Sequence, residues 1–165
     1  NFPTVRLAQF AMLYFEQPSL FSKVISGKNL EAFYELFNVT GSEYWDKHYN
    51  FGIGSLQRKK RVSKSLMDLL VINTIIPIKF CYAVQQGRDI SDEILELAAK
   101  ISSEENAIVK KFNSLKKISK SAGHSQALLH LKTEYCDKNR CLQCAIGSSI
   151  IGTVAQPEVR KIMEN

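Results

Sequence analysis

Along most of this chain apolar side chains recur three and four residues apart, the spacing that gathers them on one face of an α-helix. Thr4 is placed to cap such a stretch from Val5 to about Phe15, and Pro18 marks its stop. Ser19 starts a short stretch through Ile25 that Gly27 closes, and Asn29 caps Leu30 to Phe37. The pattern then gives way to an aromatic loop, Tyr44-Trp45-Asp46-Lys47-His48-Tyr49-Asn50-Phe51-Gly52. Ser63 or Ser65 opens the most hydrophobic stretch, running to about Gln86 with a kink at Pro77. It is apolar nearly all round, which predicts a central core helix over 66–82. Ser91 caps Asp92 to Ile101, and a capping box, Ser102-Ser103-Glu104-Glu105, opens a helix to about Lys117. A polar break at 119–124 precedes a helix from Ser125 to Tyr135; further helices are expected from Cys141 to about Gly152 and from Pro157. No alternating strand pairs are evident. The expected fold is all-α, a single irregular bundle of about seven to nine helices around the 66–82 helix.

Composition narrows this picture. A chain of 165 residues, 45% hydrophobic and 23% charged, fits one globular helical domain over 1–165. It starts Asn1-Phe2-Pro3-Thr4, without Met, which predicts a domain cut from a longer protein. The expected partner is then the N-terminal half of its own parent chain. The longest apolar stretch, Leu66 to Val84, is broken by Asp68, Asn73, Pro77 and Lys79, short of the ~18 uninterrupted residues a membrane span needs. A helical core of this size needs no disulfide staples, so a reducing cytoplasm and no membrane partner are expected.

Candidate chemistry lies in two places. Three of the four cysteines, Cys136, Cys141 and Cys144, fall within nine residues. Cys-x4-Cys-x2-Cys is a spacing that lets three thiolates converge on zinc or an iron–sulfur cluster, and His130, His124 or Cys81 are candidates for a fourth ligand. Three readings stay open: small hydrophobes packed on a helix face with no cofactor, a zinc or degenerate iron–sulfur site that includes His130, and a disulfide or redox role.

The second place is the basic run Arg58-Lys59-Lys60-Arg61 with Lys64, beside the aromatic loop. The net charge is +6, and these cations could contact nucleic-acid phosphates while Trp45 and His48 stack on bases. A solvated loop with a buried aromatic plug is the alternative. No phosphate-binding glycine loop, zinc-protease helix or nucleophile elbow is present, so catalysis is not expected in this fragment alone.

Two resemblances follow from these strings. Gln126-Ala127-Leu128-Leu129-His130-Leu131 leading into Cys136, Cys141 and Cys144 resembles the iron–sulfur tail of endonuclease-III-type DNA glycosylases. Here the first cysteine spacing is shorter, and Ser148-Ser149-Ile150 stands where a fourth cysteine would be. More broadly, four strings are similar to the domain-of-unknown-function 2851 family of Bacteroidetes proteins: residues 1–9, Tyr44-Trp45 with His48-Tyr49 and Phe51-Gly52, residues 72–77, and Tyr135 to Gly147. That resemblance implies the C-terminal helical half of a longer parent whose other half contains β-structure and looks nuclease-like. It supplies no activity. The expectation is a non-catalytic accessory or structural domain of a larger cytoplasmic protein, with a nucleic-acid-binding module as the alternative, either within a metal-containing DNA-processing protein or outside one.

Overall fold

A computed structural model describes residues 2–152. The fold is all-α, many short helices with one small hairpin, and it divides into two compact units, Asn1–Lys100 and Ile101–Asn165.

The first unit opens with α1 (Pro3–Glu16), with Pro3 at the first helical position, where its missing N–H costs nothing. Thr4 is inside the helix and not its cap; its hydroxyl donates to the Tyr49 carbonyl. Helices α2 (Leu20–Ser26) and α3 (Leu30–Leu36) follow, and Asn29 caps α3 by accepting from the Ala32 N–H at 2.9 Å. Phe33 of α3 is fully buried. The aromatic loop is a short helix, α4 (Glu43–Asp46), and a hairpin of β1 (His48–Asn50) and β2 (Ile53–Gly54). Gly52 turns it at φ +70°, a left-handed conformation glycine adopts without strain.

The hydrophobic stretch is one continuous helix over Lys64–Gln85, capped by Ser63. It comprises α5 (Lys64–Leu70), a π-helical turn (Val71–Ile75) and α6 (Ile76–Gln85). The π turn ends just before Pro77, whose ring removes an N–H and crowds the preceding turn; widening that turn relieves both. By length and composition the helix could cross a membrane, yet it packs protein along a stripe. Met67, Val71, Ile75, Lys79 and Ala83 are buried, at steps of four residues. Steps of four drift round a helix of ~3.6 residues per turn, and the wider π turn brings the stripe back into line. The other side leaves Leu69, Phe80 and Val84 exposed, so the helix is not buried all round. Helix α7 (Ser91–Lys100) packs on α6, with Asp89 accepting from the Ser91 N–H at its start.

In the second unit the proposed capping box is extended chain. Asn106 caps α8 (Ala107–Leu115) instead, accepting from the Val109 N–H at 2.9 Å. Ser102 pairs with Ser121, and the Ala122 N–H donates to the Ile101 carbonyl at 2.8 Å. This bridge sets Ser121 as the cap of α9 (Ala122–His130), so the helix starts earlier than the expected Ser125. Gly123 and His124 therefore lie in its first turn. A π turn, Leu131–Cys136, continues it, and residues 145–152 are helical after a 3₁₀ turn at Cys141–Gln143. The expected helix at Pro157 lies outside the described residues.

Candidate nucleic-acid interface

The basic run is extended chain pinned at four backbone points. The Arg58 N–H donates to the Asp46 carbonyl (2.8 Å), and the Lys60 carbonyl accepts from the buried Gln9 side chain (2.7 Å). Arg61 pairs with Thr40, and the Val62 N–H donates to the Val39 carbonyl at 3.0 Å. Successive side chains of an extended segment point to opposite sides. Lys60 and Val62 are accordingly buried, while Lys59 and Arg61 are exposed.

Lys60 is thus a structural cation and does not offer its ammonium to a ligand. Its Nζ donates to the carbonyls of Trp45 and Asp46 and lies 4.2 Å from the Tyr49 ring centroid. Those two carbonyls belong to the last residues of α4, where a cation is favoured. Lys59 is mostly exposed and forms an ion pair with Asp46 at 2.8 Å, which raises the lysine's pKa. The other Asp46 carboxylate oxygen is buried without a hydrogen bond. Lys64 stands apart on α5, bonded to the Tyr34 hydroxyl (2.9 Å) and near Asp68 (3.5 Å).

Of the aromatic candidates, Trp45 is buried and meets Phe51 edge-on at 5.1 Å between ring centroids. His48 stacks flat on Tyr44 at 4.0 Å, with its Nδ1 2.7 Å from the Tyr44 carbonyl. Both rings are occupied by structural contacts. Burial of Trp45 was an open alternative in the sequence, because a lone tryptophan beside aromatics serves a plug as readily as a base platform.

Arg58, Lys59, Lys60 and Arg61 share a cavity of about 310 Å³ with Arg6, Gln9 and the rings of Phe2 and Tyr49. Arg6, which the sequence pattern did not single out, reaches it from the face of α1, where Val5 and Gln9 are buried. Its guanidinium donates to the Gln9 amide oxygen at 2.8 Å. Phe2 and Tyr49 contact each other at 4.6 Å. A larger apolar groove of about 560 Å³ lies between α1, α2 and the long helix, lined by Phe10, Leu13, Phe21 and Ile75 among others.

The cysteine segment gives a different result. All four cysteines are free thiols; Cys81, Cys136 and Cys141 are exposed and Cys144 is buried. Among the described residues no three His, Cys, Asp or Glu side chains are grouped closely enough to share a metal ion. His130 is exposed and meets Tyr135 edge-on at 6.0 Å. What the string Cys141 to Gly147 builds is a tight backbone crossing: a Cβ on Gly147 would overlap the Cys141 carbonyl.

The family model described as "Protein of unknown function (DUF2851)" matches residues 1–107. The chain belongs to the DUF2851 family. The match covers α1 through α7, the hairpin and the basic cavity, and it ends before the cysteine segment. The residues of this family member with the densest positive charge therefore lie inside the family match, while Cys136, Cys141 and Cys144 lie beyond it. No curated protein and no solved structure matches the chain.

Proposed function

We propose that this chain is a non-catalytic helical module of a larger cytoplasmic protein, and that its first unit holds a nucleic acid by its phosphates. The observation carrying this reading is the cavity in which Arg6 joins Arg58, Lys59 and Arg61 beside two aromatic rings. Cations from two separated stretches of chain meet there, and cations on a fixed scaffold suit successive phosphates, because each contact releases condensed counterions. The extended, pinned backbone of 58–62 holds Arg58, Lys59 and Arg61 without the entropy loss a floppy loop would suffer on binding. The non-catalytic assignment rests on His48 and Asp46, the local acid–base candidates, being engaged with Tyr44 and Lys59.

The test is affinity for a labelled duplex measured over a salt series. The expected result is binding at low salt that weakens steeply as salt rises. Arg58→Ala and Arg61→Ala, each removing one cation from the phosphates, should each make that slope shallower by about one unit. No binding at low ionic strength would remove the reading.

A further inference from the structure

Beside the basic cavity, the hairpin exposes apolar side chains at its tip. Phe51 is 73% exposed, Ile53 64%, and Leu56, just beyond β2, 92%. The tip is nonetheless rigidly held. The Gly52 N–H donates to the Tyr44 hydroxyl at 3.0 Å, the Ser55 N–H to the Lys47 carbonyl, and the Arg58 N–H to the Asp46 carbonyl. The Phe51 ring leans on the buried Trp45. Exposed Lys47 precedes the hairpin and exposed Arg58 and Lys59 follow it in the chain, and the Ser55–Lys47 and Arg58–Asp46 bonds bring these two segments together at its base. An exposed ring, backed by Trp45 and Tyr44 on a hairpin whose adjoining segments carry cations, fits an anionic polymer whose bases offer π-faces: phosphates meet the cations while an unpaired base stacks on the ring. Paired bases within a duplex have their faces covered by their neighbours, so the same ring gains little there unless it unstacks a step.

We propose that the tip of the β1–β2 hairpin, chiefly Phe51, is a base-stacking wedge that makes the basic site select nucleic acid with unpaired bases over intact duplex. This proposal rests on the nucleic-acid reading above. Its test uses the whole chain, a fluorescein-labelled single-stranded thymidine oligonucleotide, and a labelled duplex of equal length at one salt concentration. The single strand is expected to bind about tenfold tighter than the duplex, the scale of one stacked base. Phe51→Ala should bring single-strand affinity down to the duplex level and leave duplex affinity unchanged; Phe51→Tyr, which keeps the ring, should retain the preference. Trp45 is the only tryptophan of the chain, and its emission should change on binding the single strand in the wild type but not in Phe51→Ala.

Equal affinity for the two oligonucleotides in the wild type, or a preference that survives Phe51→Ala, would overturn the wedge while leaving the basic site standing. Absence of binding to either oligonucleotide would overturn both readings. Phe51-dependent binding to phosphatidylserine vesicles without oligonucleotide binding would reassign the tip to an anionic lipid surface.

Discussion

The ammonium of Lys79 lies 2.9 Å from Glu93 Oε1, which joins α6 to α7 through a lysine only 4% exposed. The same Nζ donates to the Ile25 and Gly27 carbonyls, at 2.9 and 2.6 Å, where α2 ends. Helix ends leave carbonyls without intrahelical partners, and the C-terminal dipole favours a cation there. One buried charge therefore closes α2 and ties it to two other helices. Lys79→Met should lower unfolding free energy by about 3 kcal/mol, because it strands two carbonyls and a partly buried carboxylate together. Glu93→Gln, which keeps the carbonyl contacts, should lose less, about 1 kcal/mol. Urea titrations followed by Trp45 fluorescence would rank the two, and equal losses would contradict the shared-cation account.

Neighbouring lysines in the basic run should support the fold through different partners, Lys60 through main-chain carbonyls and Lys59 through the Asp46 carboxylate. Lys60→Met removes an ammonium from the Trp45 and Asp46 carbonyls and the Tyr49 ring, and should cost about 2 kcal/mol of stability. Lys59→Met takes the ion-pair partner from a buried Asp46 carboxylate whose other oxygen already lacks a hydrogen bond, and should also cost about 2 kcal/mol although the lysine itself is largely solvated. Adding Asp46→Asn should relieve the Lys59→Met loss but not the Lys60→Met loss, and thermal melts of the four variants would show it.

Alkaline pH should weaken the contact between α3 and α5. Burial, then the hydrogen bond to Asp68, holds the Tyr34 hydroxyl above its ordinary 10.0, and the bond to Tyr34 raises Lys64 above 10.5. Both folded values are raised, so this stabilisation is complete below the unfolded values and is lost as pH rises through the folded ones. Stability should fall above about pH 10, and the fall should be shallower in Tyr34→Phe. Ultraviolet titration of phenolate, wild type minus variant, should show Tyr34 ionising later than a free tyrosine.

Thiol accessibility gives a check on the cysteine segment. A disulfide-exchange reagent should label Cys81, Cys136 and Cys141 quickly in the native chain, and Cys144 only after denaturant is added. Cys136→Ser and Cys141→Ser should melt with the wild type, whereas Gly147→Ala should melt several degrees lower, because its Cβ would strike main chain. Matched losses in zinc content and melting temperature in both serine variants would instead argue for a metal held by these thiols.

Much of the helical layout is legible because it depends on neighbours in sequence. Apolar spacing, the Asn29 cap, Gly27 and Ser63 are local signals, and they specify an all-α chain with a long hydrophobic helix interrupted near Pro77. The starts of α8 and α9 differ from the expected ones because Asn106 and Ser121 compete with nearby serines. The bridge between Ser102 and Ser121, a pairing that brings together the two ends of the segment holding α8, chooses between them. The sequence likewise gathers cations at 58–61 but does not sort them.

What the sequence determined by itself is the helical class, the family, and the presence of two clusters, one basic and one of thiols. Tertiary structure decided their meaning. The Gln9 hydrogen bond and the bridge to Thr40 hold 58–62 extended, and extended chain turns Lys60 inward while Lys59 and Arg61 face out. It also brought Arg6 from α1 into the basic cavity, and it set the described cysteine and histidine side chains apart from any three-ligand grouping. The reason is the range of the forces involved. Helix formation reads residues three and four apart, whereas the facing of a charge depends on what the rest of the chain packs against it.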